Sequence, residues 1–263
     1  MSKTMLNTLS NFYNTLDQKI EKPVQTHLRR VYFSLSASLL AAAAGAYVHL
    51  FTDFISGSVW SVLGSLVLLI TINATIHTRE NELYRFLALM AFSALSGLST
   101  GPLLDFVISV NASLIVTAFM VTAVLFGCFT LAALIAPDRK YLYMIGTLLG
   151  MLSAMCWVSM FNMFIRSPAL FQVNLYTGLA VMCGFIVYDT QLIMEKKRMG
   201  DNDYIRHSVD LFIDFIGIFR RTLIVLCQKE VGAKEKKKLK IKILYNNAAK
   251  SKLLRISFNL WLL

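Results

Sequence analysis

Charge is scarce in this chain. Only 16% of its 263 residues are Asp, Glu, Lys or Arg, whereas 56% are hydrophobic and the mean hydropathy is +0.60. Soluble domains carry about 25% charged residues, so the composition excludes an ordinary soluble fold and points to an integral membrane protein. Proline is rare as well, with four residues in all, which leaves long stretches free of helix breakers. The four cysteines, Cys128, Cys156, Cys183 and Cys227, have no paired spacing and lie in or beside apolar segments. They read as small buried hydrophobes, not as disulfides or metal ligands. His27, His49, His77 and His207 form no pair at helical metal-binding spacing, so no zinc-type metal site is expected. No glycine loop of the phosphate-cradling kind is present, and no cofactor is implied. The first thirty residues lack the continuous apolar core and small-residue cleavage site of a signal peptide.

What the chain does have is long apolar runs. Six of them, residues 31–51, 55–76, 86–104, 113–136, 141–165 and 170–194, suit helices crossing a hydrocarbon core of roughly 30 Å. A seventh, 207–226, carries Asp210, Asp214, Arg220 and Arg221, so it cannot present every side to lipid and is expected at the centre of a bundle. The fold class that follows is an all-α integral membrane protein, a seven-helix bundle whose last helix is central or re-entrant. Residues 1–30 form an N-terminal segment, 31–226 the bundle and 227–263 a basic tail. Leu9, Phe12, Tyr13, Leu16 and Ile20 recur at helical spacing within residues 5–20, the pattern of an amphipathic surface helix. The tail turns amphipathic again beyond Lys238, with Leu253, Leu254, Ile256, Phe258, Leu260 and Trp261.

Lys and Arg set the orientation, because they accumulate in loops kept in the cytosol. The N-terminus and the second, fourth and sixth connections hold thirteen of the 26 Lys and Arg residues, while the first, third and fifth hold Arg166 alone. The N-terminus is therefore expected in the cytosol. The other twelve, from Arg220 onward, favour the same side, in conflict with a full seventh crossing. The net charge of +11 is spread over these loops and the run KEKKKLKIK, without a nucleic-acid-binding motif, so its partner is the lipid bilayer and its anionic headgroups, not nucleic acid. Small residues cluster at AAAAGAY (41–47), SALSGLSTG (93–101) and GTLLG (146–150), where helix backbones are expected to approach closely.

Asp189 and Asp214 are the most informative residues. Each sits in apolar sequence, where a carboxylate is costly unless protonated, paired or facing water. Asp189 lies about 8 Å from the end of its segment and Asp214 about 10 Å from the start of the next. The short polar connection between them makes the two helices antiparallel neighbours. Asp210, one turn from Asp214, shares its face. Like charges at close range do not both ionise cheaply, so a shared proton and a pH switch follow. The alternative is that each aspartate pairs separately, for instance with Arg220 or Arg221.

FQVNLYTGLAVMCGFIVYDTQLIMEKKRMGDNDYIRHSVDLFIDFIGIFRR (171–221), with GAYVHL (45–50), GPLLDF (101–106) and TAFMVTAVLFGCFTLAAL (117–134), resembles the transmembrane Bax inhibitor motif family over roughly residues 25–238. The resemblance implies a seven-helix protein of the endoplasmic reticulum membrane. It also implies a pH-sensitive leak for calcium ions, suppression of apoptosis, modulation of the unfolded protein response, and interaction with anti-apoptotic Bcl proteins and stress sensors. Asp189, in YDTQ, and Asp214, in LFIDF, match the family's gating pair. His77 and Arg79 are the nearest candidates for the basic residue that couples to that pair in bacterial relatives. Two alternatives stand beside the leak channel. One is an intramembrane aspartyl protease, for which Tyr188-Asp189 fits but the GxGD and Pro-Ala-Leu motifs are missing, so no enzyme is expected. The other is a non-conducting anti-apoptotic scaffold for Bcl proteins.

Overall fold

The computed structural model describes residues 20–52, 59–136 and 139–261, with side chains as far as Lys236. Seven α-helices follow in order: α1 (Lys22–Phe51), α2 (Val59–Ala74), α3 (Glu82–Asn111), α4 (Ser113–Ile135), α5 (Ile145–Ile165, led by a 3-10 turn at Leu142–Met144), α6 (Pro168–Arg198) and α7 (Tyr204–Trp261). No strand occurs among the described residues. The chain is thus an all-α multi-pass membrane protein, as composition requires. Five helices are long and apolar enough to cross a bilayer. α2, with 16 described residues, reaches about 24 Å. The amphipathic segment expected over residues 5–20 lies almost wholly outside the described residues, as do the side chains of the amphipathic tail.

Helix ends follow local chemistry. Pro23 falls in the first turn of α1 and Pro168 opens α6, where a missing N–H costs nothing. Lys196, Lys197 and Arg198 occupy the last turn of α6, complementing its dipole. Gly200, at φ +98°, then turns the chain into α7 in a conformation that favours glycine.

Among the described residues, contacts between the helices gather at two opposite ends of the bundle. On the N-terminal face, His27 and His207 share a hydrogen bond of 2.9 Å, the Ser208 hydroxyl donates to the Val31 carbonyl at 3.0 Å, and the Tyr204 hydroxyl donates to Glu82 at 2.7 Å. Arg198 approaches Glu21 at 3.6 Å, and Arg139 pairs with Glu195. At the opposite face His49 meets Asp105 at 2.9 Å, and Lys234 Nζ donates to the Val110 carbonyl at 2.7 Å. α7 therefore touches the first turn of α3 and, at Lys234, its last turn, and runs parallel to it for about 45 Å. α7 is one unbroken helix that runs the length of the bundle, and the basic tail continues from the end opposite the start of α1.

α7 is also central. It packs against α1, α3, α4 and α6, and Ile205, Leu211, Phe212, Ile218 and Leu223 are completely enclosed. Phe212 meets Phe92 edge to face, and Phe215 meets Phe126 in the same way. Outside the bundle the polarity is inverted relative to a soluble protein: Trp60 is 78% exposed and Phe164 77%, a surface suited to lipid. Cys183 and Cys227 are buried and Cys128 and Cys156 face outward, all four as free thiols.

Two of the three small-residue clusters make close crossings. A Cβ on Gly45 would lie 2.0 Å from the Ala94 carbonyl oxygen, and one on Gly97 would lie 1.9 Å from that of Ala42. The α1–α3 crossing thus brings backbone against backbone. The third cluster behaves differently, because nothing lies within 4 Å of a Cβ built on Gly146 or Gly150. Those glycines face open space, not a neighbouring helix.

Candidate functional site

α6 and α7 are joined by residues 199–203 alone and run antiparallel. Asp189 stands nine residues before the end of α6 and Asp214 ten residues after the start of α7, so both lie about 14–15 Å along their helices from the same face. This matched depth brings their side chains together. The two carboxyl groups lie close enough to act directly on each other. Asp214 is 4% exposed, and its Oδ2 is buried with no hydrogen-bond partner among the described residues. Asp189 is half-buried.

Asp210 lies one turn nearer the N-terminal face and acts electrostatically on both members of the pair. Lys196 acts on Asp189 and Asp210, and Arg206 on Asp210. These cations sit at the helix ends and not beside the pair. The three acids do not close into a ligand cage: among the described residues no three His, Cys, Asp or Glu side chains converge to hold a metal ion.

The two arginines that could have neutralised the pair are engaged elsewhere. Arg220 donates to α3, reaching the Ser96 carbonyl at 2.9 Å, the Ser99 hydroxyl at 3.0 Å and the Thr100 hydroxyl at 2.6 Å. Arg221 donates to the Gly217 carbonyl at 3.2 Å. Among the described residues neither arginine pairs with Asp189 or Asp214, which act instead on each other.

His77 and Arg79 lie away from the pair. His77 Nδ1 is 3.7 Å from Asp203 Oδ1 and its ring packs edge-on to Tyr204, while Arg79 lines a cavity with Arg29 and Arg30. The basic residue at the mouth of the α6–α7 hairpin is instead Arg85, which sequence reasoning placed in a loop. It is 1% exposed. It holds Asp203 through both oxygens and also donates to the Ile72 carbonyl at 2.9 Å. Asp203 in turn accepts the Arg206 N–H at 3.1 Å, capping the first turn of α7. Burial pushes the Asp203 carboxyl up, but the hydrogen bonds from Arg85 and Arg206 and the charges of Arg85 and His77 outweigh it and hold it below the usual carboxylate range.

A second feature escaped the sequence reading. Tyr32 on α1, Thr130 on α4 and Thr190 on α6 place three buried hydroxyls near one another, each without a hydrogen-bond partner among the described residues, and Thr190 is next in the chain to Asp189. Polar residues at helical spacing within apolar runs were the available signal. Their proximity across three helices was not.

The sequence profile of the family described as "Inhibitor of apoptosis-promoting Bax1" matches residues 24–231. Bax inhibitor 1 of Homo sapiens is 49% identical over 219 residues, which span 83% of this chain and 92% of that protein. Bax inhibitor 1 of Drosophila melanogaster is 39% identical over 83% of this chain and 89% of its own length. Bax inhibitor 1 of Oryza sativa subsp. japonica is 37% identical over 89% of this chain and 90% of its own length.

Proposed function

The chain belongs to the Bax inhibitor 1 family, and on that premise we propose that it is a pH-sensitive calcium leak of the endoplasmic reticulum membrane that suppresses apoptosis and modulates the unfolded protein response. The observation that carries the gating part is the meeting of Asp189 and Asp214 without a cation between them. Two carboxyls in a low-dielectric site hold one proton between them and draw their helices together. Loss of that proton leaves two like charges on α6 and α7, and their repulsion separates the helices. Asp210 adds a third acid toward the N-terminal face, and the oxygen-rich surroundings suit a hard cation in transit.

The pair is assigned to gating and not to hydrolysis, since neither GxGD nor Pro-Ala-Leu accompanies Tyr188-Asp189. The N-terminal face, whose leading segment and helix connections hold thirteen Lys and Arg against Arg166 alone in the opposite connections, is assigned to the cytosol, where anti-apoptotic Bcl proteins and stress sensors are the partners. Calcium release from dye-loaded liposomes containing the purified chain, compared with empty liposomes, tests this reading. Efflux at the empty-liposome rate across acidic and neutral pH contradicts it.

A further inference from the structure

The N-terminal face carries a cavity of about 880 Å³ between the start of α1, the α2–α3 connection with the start of α3, and the first residue of α7. Three guanidinium groups line it, those of Arg29, Arg30 and Arg79. Among the described residues none of the three has an ion-pair partner. The one acid in the lining, Glu82, is already engaged by the Tyr204 hydroxyl at 2.7 Å. Three arginines against one glutamate leave the lining with two positive charges in excess.

The polarity changes with depth. Phe33 on α1 and Phe86 on α3 also line the cavity, about one helical turn, or roughly 5 Å, further into the bundle than Arg29, Arg30 and Glu82. Phe33 is 73% exposed and the neighbouring Leu83 69%, so the inner end of the cavity opens onto the lipid-facing surface. A basic mouth above an apolar, lipid-contacting floor matches an amphiphile, with its anion among the guanidinium groups and its chains alongside Phe33. Guanidinium forks suit phosphate oxygens, which they bind in pairs. An excess of two positive charges matches a phosphate monoester, which carries close to two negative charges near neutral pH, better than a phosphodiester with one.

We propose that this cavity is a binding site for a membrane lipid whose headgroup carries a phosphate monoester, held by Arg29, Arg30 and Arg79. The site is separate from the aspartate pair and does not depend on the leak reading. It also gives Arg79 a role other than coupling to Asp189 and Asp214.

The test uses the full chain in phosphatidylcholine nanodiscs containing a few per cent of either phosphatidylinositol 4-phosphate or phosphatidylinositol, with lipid retention read by native mass spectrometry. The monoester lipid should be retained at least about tenfold over phosphatidylinositol, and the double variant Arg30→Gln with Arg79→Gln should lower that retention about tenfold. Removing two charges elsewhere, by Lys229→Gln with Lys236→Gln, should change it less than about twofold. Restoring lysine at both cavity positions should recover part of the loss. Where the double variant is not monodisperse, the single Arg79→Gln change, at an exposed position, carries the comparison. Equal losses in the cavity and control variants would reduce the effect to diffuse surface charge and overturn the site. Equal retention of phosphatidylinositol would overturn the monoester assignment. Displacement of the lipid by millimolar inorganic phosphate would identify a free anion as the ligand and overturn the lipid assignment.

Discussion

Arg85 holds both oxygens of Asp203, its Nη1 donating to Oδ1 at 2.9 Å and its Nη2 donating to Oδ2 at 2.7 Å. The guanidinium belongs to α3 and the carboxylate immediately precedes α7, so this pair ties the two parallel helices at the face where the α6–α7 hairpin turns.

Removing one member of such a buried pair strands the other. Arg85 is enclosed and has the Ile72 carbonyl as its only other described partner, so Asp203→Asn should destabilise the protein by about 3–5 kcal/mol. The pH dependence follows from the depressed Asp203 carboxyl. A group held below its unfolded value stabilises fully above the ordinary carboxylate range, about pH 4, and loses that contribution as pH falls through the folded value. Thermal unfolding of the purified protein should show wild type losing more stability than Asp203→Asn on acidification below about pH 4. Parallel pH profiles would contradict the lock.

Glycine positions offer a second check, because two kinds occur in one bundle. Gly97→Ala places a methyl group 1.9 Å from the Ala42 carbonyl oxygen, and the helices must separate; overpacking of this kind costs about 1–3 kcal/mol. Gly146→Ala meets nothing within 4 Å and replaces a poor helix former, a change worth up to about 1 kcal/mol in favour of the variant. The melting temperature should fall in the first case and hold or rise in the second. A loss of similar size in both would remove the distinction between the clusters.

Topology gives a third. α7 runs parallel to α3 from Tyr204 beside Glu82 to Lys234 beside Val110, which puts the start of α1 and the start of the basic tail at opposite ends of the bundle. In intact microsomes an N-terminal tag should be digested by added protease and a tag after Leu263 should be protected. Digestion of both would mean that the twelve basic residues from Arg220 onward had prevailed over the crossing.

How far these features were legible in the sequence depends on whether they are local. Asp189 and Asp214 were visible because a carboxylate in an apolar run is conspicuous, and equal distances from a short connection place them at one level. Close packing at Gly45 and Gly97 was visible for the same reason. GTLLG carries an identical local signal yet faces outward, since only a neighbouring helix, not composition, decides whether a small residue is a contact. Arg85 was hidden by its position: one residue before an apolar run it reads as a loop cation, and its partner lies 118 residues away. The length of α7 through the bundle was obscured by its own arginines, and Arg220 is accommodated by Ser96, Ser99 and Thr100 of α3, a hydroxyl-lined face that reads as ordinary small-residue packing.

The central claim is that Asp189 and Asp214 hold a proton whose loss opens the path, and the pH profile of calcium efflux from liposomes tests it most directly. With wild-type protein the rate should change steeply between mildly acidic and neutral pH, and Asp214→Asn should flatten that dependence while the protein stays folded and monodisperse, because an amide beside Asp189 cannot share or lose the proton. An Asp214→Asn variant that keeps the wild-type pH profile would contradict the account.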